Sequence, residues 1–237
     1  PYECPMEPFG GIEQLAWSPN SQQIAYTCRT KTGVDYAIST DSDIFLYDLT
    51  AEEGTVDKNR NLCKEGVDLP KPDATKTLKD QAVNTEFKHL NVGYDTNPKF
   101  SPDGNYLAWL SMERDGYESD RNRLCVYNLK TSQKTYVTEM FDSNVDDFCW
   151  SDINPAELYF IGVWHGTENL YVTNLKGEVR RLTDDWADFG SIQMLGNGKN
   201  LIAERHSYTE PADIYLIKPS QHEKDKTVCL PISQENK

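Results

Sequence analysis

Short apolar runs alternate with polar turns along this chain, and one such phrase recurs. Gln14-Leu-Ala-Trp-Ser-Pro-Asn-Ser-Gln-Gln-Ile-Ala-Tyr26 returns as Pro98-Lys-Phe-Ser-Pro-Asp-Gly-Asn-Tyr-Leu-Ala-Trp109. A weaker copy runs from Asp147 to Phe160, and a fainter one from Ser191 to Ala203. Each copy predicts an apolar strand, a turn and a second apolar strand. In the best copy the turn is Ser101-Pro102-Asp103-Gly104: Pro presets φ, Asp bonds its own backbone and Gly accepts positive φ. A third strand follows each copy, over 43–49, 123–129, 169–175 and 213–218, with alternate residues apolar. Short fourth strands are expected at 61–63, 135–138, 179–183 and 227–230.

The aligned anchor positions are Trp17, Phe100, Trp150 and Met194. The last two spacings match the ~40–50 residues of a four-stranded repeat. The first is longer, and the charged, Pro-containing stretch 67–91 supplies the excess, with a short helix expected near 77–83. Four strands per repeat at this period predict an all-β fold: a β-propeller fragment of about four four-stranded antiparallel blades in an arc. The blades fall at about 8–66, 92–140 (preceded by the 67–91 insertion), 141–185 and 186–237. A β-sandwich is the alternative all-β arrangement, but it does not demand a repeated turn phrase. Four blades would leave two open sheet edges, which edge-to-edge dimerisation would cover.

Composition narrows the function classes. The aromatic share is 11%, too rich for a disordered chain although only 38% of residues are hydrophobic. The net charge of -14 repels phosphate backbones and argues against nucleic-acid binding. No run approaches the ~20 apolar residues of a membrane-spanning helix. The six cysteines form no Cys-x-x-Cys pair, and Cys28, Cys125 and Cys149 lie in apolar runs, where a thiol packs as a small hydrophobe. Disulfides are not resolved by spacing, so the compartment stays open. Asp41-Ser-Asp43 and Asp184-Asp185 with Asp188 offer oxygens, but neither fits a calcium-loop spacing, and no metal or cofactor is expected. The start at Pro1-Tyr2-Glu3 suggests a processed or excised segment.

The wording of the repeat carries a resemblance. Phe100–Trp109 resembles the blade phrase of the prolyl oligopeptidase family and of Tol-type propellers. The hairpin 112–124, with Gly93-Tyr-Asp-Thr-Asn-Pro98 and Pro8-Phe-Gly-Gly-Ile-Glu-Gln-Leu-Ala-Trp17, is similar to the dipeptidyl-peptidase-5 and acylaminoacyl-peptidase branch. That resemblance implies a propeller set over an α/β-hydrolase serine-peptidase domain, filtering peptide substrates and helping to bind their amino-terminal end. It also implies a periplasmic or secreted place for dipeptidyl relatives and a cytosolic one for acylaminoacyl types. No Gly-x-Ser-x-Gly elbow occurs in this sequence, so catalysis is expected of a partner domain in the same polypeptide. A Tol-type protein-interaction module is the alternative. A propeller lyase on acidic sugars is disfavoured by sparse histidines.

In that family the hairpins joining second and third strands face the hydrolase domain. Here they are 27–42, 111–123, 162–168 and 204–212. Glu113, Arg114, Asp115, Tyr117, Trp164, His165, Arg205 and His206 are therefore the candidate substrate-binding residues. A carboxylate there would receive an ammonium group, an Arg would hold a carbonyl or carboxylate, and an aromatic ring would wall a subsite.

Overall fold

The computed structural model describes residues 3–8, 10–65, 92–196, 198–222 and 225–233. Among these, the strands form four antiparallel sheets of four, each a meander in chain order. The first holds β1 (Leu15–Trp17), β2 (Gln23–Cys28), β3 (Asp43–Asp48) and β4 (Asn59–Asn61). The second holds β5 (Asp95–Phe100), β6 (Tyr106–Ser111), β7 (Arg123–Asn128) and β8 (Lys134–Tyr136). The third holds β9 (Val145–Trp150), β10 (Glu157–Trp164), β11 (Thr167–Asn174) and β12 (Val179–Arg181). The fourth holds β13 (Asp188–Met194), β14 (Leu201–His206), β15 (Asp213–Lys218) and β16 (Val228–Pro231). The expected four-stranded antiparallel blades are thus present. The only α-helix among the described residues is α1 (Val34–Ile38), inside the first 2–3 hairpin, where no helix is expected from sequence. The 67–91 insertion and its expected helix lie outside the described residues.

Local chemistry explains the turns between first and second strands. The Ser101 hydroxyl donates to Asp103 at 2.6 Å, and Gly104 takes φ +68°. The Ser18 hydroxyl makes the same bond to Asn20 at 2.7 Å and accepts the Gln23 N–H at 2.9 Å. Ser21 adopts φ +58° where the second copy has Gly. These motifs fix the turns with the serines' own hydroxyls, as a structural role requires. The fourth strand of the first sheet starts and ends earlier than expected. The Asn61 side chain accepts the Cys63 and Lys64 N–H groups at 3.1 and 3.3 Å and turns the chain away. Leu62 still donates to the Ile44 carbonyl at 2.9 Å, and Leu62 and Cys63 are buried.

The chain divides into two compact units. One comprises Pro1–Phe100, Gly104–Arg121 and Tyr127–Lys134; the other comprises Ser101–Asp103, Asn122–Val126 and Thr135–Lys237. In the first, Ile44, Leu46, Leu107 and Trp109 are buried. The start of β3 meets the start of β5: Ser42 Oγ donates to the Asp95 carbonyl at 2.9 Å and Ser42 O accepts the Asp95 N–H at 3.3 Å. Of the aligned anchors in this unit, Trp17 is 61% exposed, on the edge strand β1. In the second unit, Tyr159, Ile161, Leu170, Phe189, Ile192, Leu201 and Ile217 form one core. Phe160 stacks on Tyr171 at 5.1 Å and meets Phe141 edge-on at 5.2 Å, burying large aromatic area between sheet and loop. None of the six cysteines is in a disulfide, and Cys28, Cys125 and Cys149 are buried, as small hydrophobes would be.

Candidate functional site

The strand bounds set the second hairpins at 29–42, 112–122, 165–166 and 207–212. The third is much tighter than the expected 162–168. Its strands are eight residues long, and His165 and Gly166 take φ +52° and +82°, closing a two-residue turn.

In the first unit, the group from Glu113 to Tyr117 is organised by its own contacts. The Arg114 guanidinium grips the Asp120 carboxylate, with Nε to Oδ1 at 2.9 Å, and lies 3.8 Å from the Tyr117 ring centroid. Asp115 turns to the neighbouring hairpin. Its Oδ1 accepts Ser39 Oγ at 2.7 Å, the Thr40 N–H at 2.8 Å and the Asp41 N–H at 3.2 Å. The Gly116 N–H donates to Thr40 Oγ1 at 2.9 Å. Asp115 is thus a clasp between two hairpins, and one of its oxygens is committed to that task. Arg114 and Tyr117 remain exposed, and Glu113 is half-buried.

In the second unit, Trp164 stacks on His165 with ring centroids 4.3 Å apart, and the Arg181 guanidinium covers the indole at 4.5 Å. Arg205 is held by Glu210 at 3.2 Å, the Tyr215 hydroxyl at 3.3 Å and Asp185 at 3.7 Å. His206 stands 3.8 Å from Asp188 and lines two adjoining hollows. The larger, about 560 Å³, includes Glu168, Glu204, His206, Tyr208 and Glu210. The smaller, about 290 Å³, includes Val163, Thr167, Glu168, Asp188 and His206. Among the sequence candidates, only His206 lines these hollows.

Three strands position this group. Asp188 pairs with His206 across β13 and β14, and Gly190 pairs with Glu204. Asp188 Oδ1 accepts the Glu168 N–H at 2.8 Å, tying β11 to β13. Ser191, at φ +51° in a bulge of β13, donates its hydroxyl to Glu204 at 3.2 Å. Burial raises the Glu168 carboxyl above its usual range, Asp146 and Asp188 add to the effect, and His206 opposes it. Such crowded carboxylates favour a bound cation, which relieves their mutual repulsion. Their oxygens can accept charge-assisted hydrogen bonds, and the exposed Tyr208 ring stands at the rim. Sequence reasoning did not place Glu168, Glu204 and Glu210 among the candidates, and it weighed Asp188 only as an oxygen donor to a metal. Glu204 was signalled by the period of two, since it shares a strand face with His206.

No family model matches the chain. It is 39% identical over 220 residues to dipeptidyl-peptidase 5 of Porphyromonas gingivalis, covering 92% of this chain and 27% of that protein. A puromycin-hydrolyzing peptidase from Mycobacterium tuberculosis superposes with a TM-score of 0.56 at 16% identity, covering 94% of this chain and 31% of its own. A TolB-type protein from Agrobacterium tumefaciens superposes with a TM-score of 0.57 at 13% identity, covering 91% and 63%. By fold, the chain is a β-propeller segment of the kind shared by TolB-type proteins and peptidases. By sequence, it is a homologue of dipeptidyl-peptidase 5 over most of its own length, the relatives that its repeat phrase resembles. The chain spans about a quarter of the length of the curated relatives it matches.

Proposed function

We propose that this chain is the non-catalytic propeller portion of a serine exopeptidase of the dipeptidyl type, gating peptide substrates and holding their amino-terminal end. The observation that carries this reading is the carboxylate-lined hollow around Glu168 and His206, in a chain whose relatives are named dipeptidyl-peptidases. An unblocked peptide presents a terminal ammonium, and Glu168, Glu204 and Asp188 supply acceptors of opposite charge around the hollows. Glu113 and Arg114 are second candidates for contact with the substrate chain. The catalytic partner in this reading is an α/β-hydrolase domain of the same polypeptide. A coding sequence that carries no Gly-x-Ser-x-Gly segment on either side of this chain defeats that part. The edge-to-edge dimer rests on open sheet edges alone, and a strictly monomeric species in light scattering removes it.

The test uses the full-length protein with Glu168→Gln and Glu204→Gln. Loss of a charge-assisted contact of ~1.5–3 kcal/mol raises KM for free-amine dipeptidyl substrates by about 10- to 100-fold, with kcat changed less. Amino-blocked analogues, which lack the ammonium, are unaffected. Unchanged kcat/KM on both substrates removes the hollow from substrate binding.

A further inference from the structure

Three buried residues of the first unit, distant in sequence, converge on one point. A carboxylate oxygen each of Asp43 and Asp95, and the Cys63 sulfur, lie within 4.8 Å of one another. Asp43 opens β3, Asp95 opens β5 and Cys63 follows β4, so three separate segments deliver them. All three are at least 98% buried.

The outward atoms of this group are already held. Asp95 Oδ1 accepts the Trp109 indole N–H at 2.7 Å. Asp43 Oδ2 accepts Asn61 Nδ2 at 2.9 Å and Lys64 Nζ at 2.6 Å. The Cys63 sulfur accepts the Ile44 N–H at 3.2 Å. The remaining oxygens, Asp43 Oδ1 and Asp95 Oδ2, are buried without a hydrogen-bond partner among the described residues. Buried carboxylate oxygens without partners are costly, and a cation or a proton between them relieves the cost. Lys64 faces Asp43, whereas no basic side chain pairs with Asp95 among the described residues.

We propose that Asp43, Asp95 and Cys63 form a structural site for a divalent transition-metal ion of the zinc type. The donor set decides the class. A thiolate selects a borderline-soft ion over calcium or magnesium, and two carboxylates join it in a mixed sulfur–oxygen set of three that leaves zinc's fourth position to a water. Zinc–ligand bonds of about 2.0–2.3 Å place tetrahedral donors roughly 3.3–3.8 Å apart, so the three donors close on the ion by about 1 Å. A divalent ion with two carboxylates and a thiolate carries one net negative charge, and Lys64, which Asp43 shares with the buried Asp41, lies beside it. Trp109, Asn61 and the Ile44 amide then serve as the outer shell that orients the ligands. The ion would pin the starts of β3 and β5 to the end of the β4 turn.

The experiment strips the full-length protein with a chelator and titrates it with Co²⁺, then Zn²⁺. One equivalent of Co²⁺ is expected to bind and to give a near-ultraviolet cobalt–thiolate charge-transfer band, which Zn²⁺ removes. Cys63→Ser and Asp95→Asn lose the band, whereas Cys28→Ser keeps it. Trp109→Phe keeps the band and binds about 10- to 100-fold more weakly. Absence of stoichiometric uptake by the wild-type protein overturns the site and leaves a proton shared between the two carboxyls. A band that survives in folded Cys63→Ser also overturns it. If Cys63→Ser does not fold, Asp43→Asn decides by the same criterion.

Discussion

The Trp109 indole N–H donates to the Asp95 carboxylate at 2.7 Å, between neighbouring strands of the second sheet. Both residues have no exposed surface, so water cannot replace the bond. Trp109→Phe keeps an aromatic ring but leaves a buried carboxylate oxygen unpaired and a cavity beside it. The expected loss is about 2–4 kcal/mol, read by urea unfolding. A loss below 1 kcal/mol would show that the bond is not what holds these strands.

Asp115 is expected to matter for order more than for charge. Asp115→Ala frees the Ser39, Thr40 and Asp41 donors and costs roughly 1–3 kcal/mol, with faster amide exchange over 39–41. Asp115→Asn retains an acceptor and most of the protection. Equal exchange in both variants would instead make the carboxylate's charge the essential property.

Gly162 lies in β10 where a Cβ would sit 2.8 Å from the Phe141 ring and 3.0 Å from the Asn144 carbonyl. Phe141 is itself packed edge-on against Phe160 and Tyr171, so it has little room to yield. Gly162→Ala is expected to cost about 1–3 kcal/mol by overpacking, measured by thermal or urea unfolding. A neutral or stabilising result would mean that the ring has a second resting place.

Asp48 supplies a pH signature. Bonds from Thr50 and Gln23 hold its carboxyl down at about 2. A carboxyl depressed below its unfolded value of roughly 3.9 stabilises the fold above that pH. The contribution is lost as pH falls through about 2. Asp48→Asn should therefore flatten part of the stability decline between about pH 4 and 2 and leave the neutral-pH slope untouched. An unchanged acid limb in equilibrium unfolding would contradict the assignment.

Much of the fold was legible because its signals are local. The Ser-Pro-Asp-Gly turn, the apolar strands around it and the alternating third strand each need only a few consecutive residues. The site was less legible because it is made across strands. Arg205 and Asp115 have the composition of ligand-binding residues, yet cross-hairpin contacts occupy them. Asp188 meets His206 through the pairing of β13 with β14, and Glu168 joins them from β11 by donating its N–H to Asp188. The Asp43–Cys63–Asp95 convergence depends on the turn at Asn61, which shortens β4 and swings the following thiol inward.

The six thiols, none in a disulfide, give the molecule a graded reactivity toward thiol reagents. Cys4 is exposed and Cys229 half-covered, while Cys28, Cys63, Cys125 and Cys149 are shut inside the sheets. A small alkylating reagent therefore meets one thiol readily in the native protein and reaches the sealed four only when a sheet opens. Modification of Cys125 or Cys149 timed against that of Cys4 becomes a native-state clock for opening, resolved sheet by sheet and needing no introduced probe.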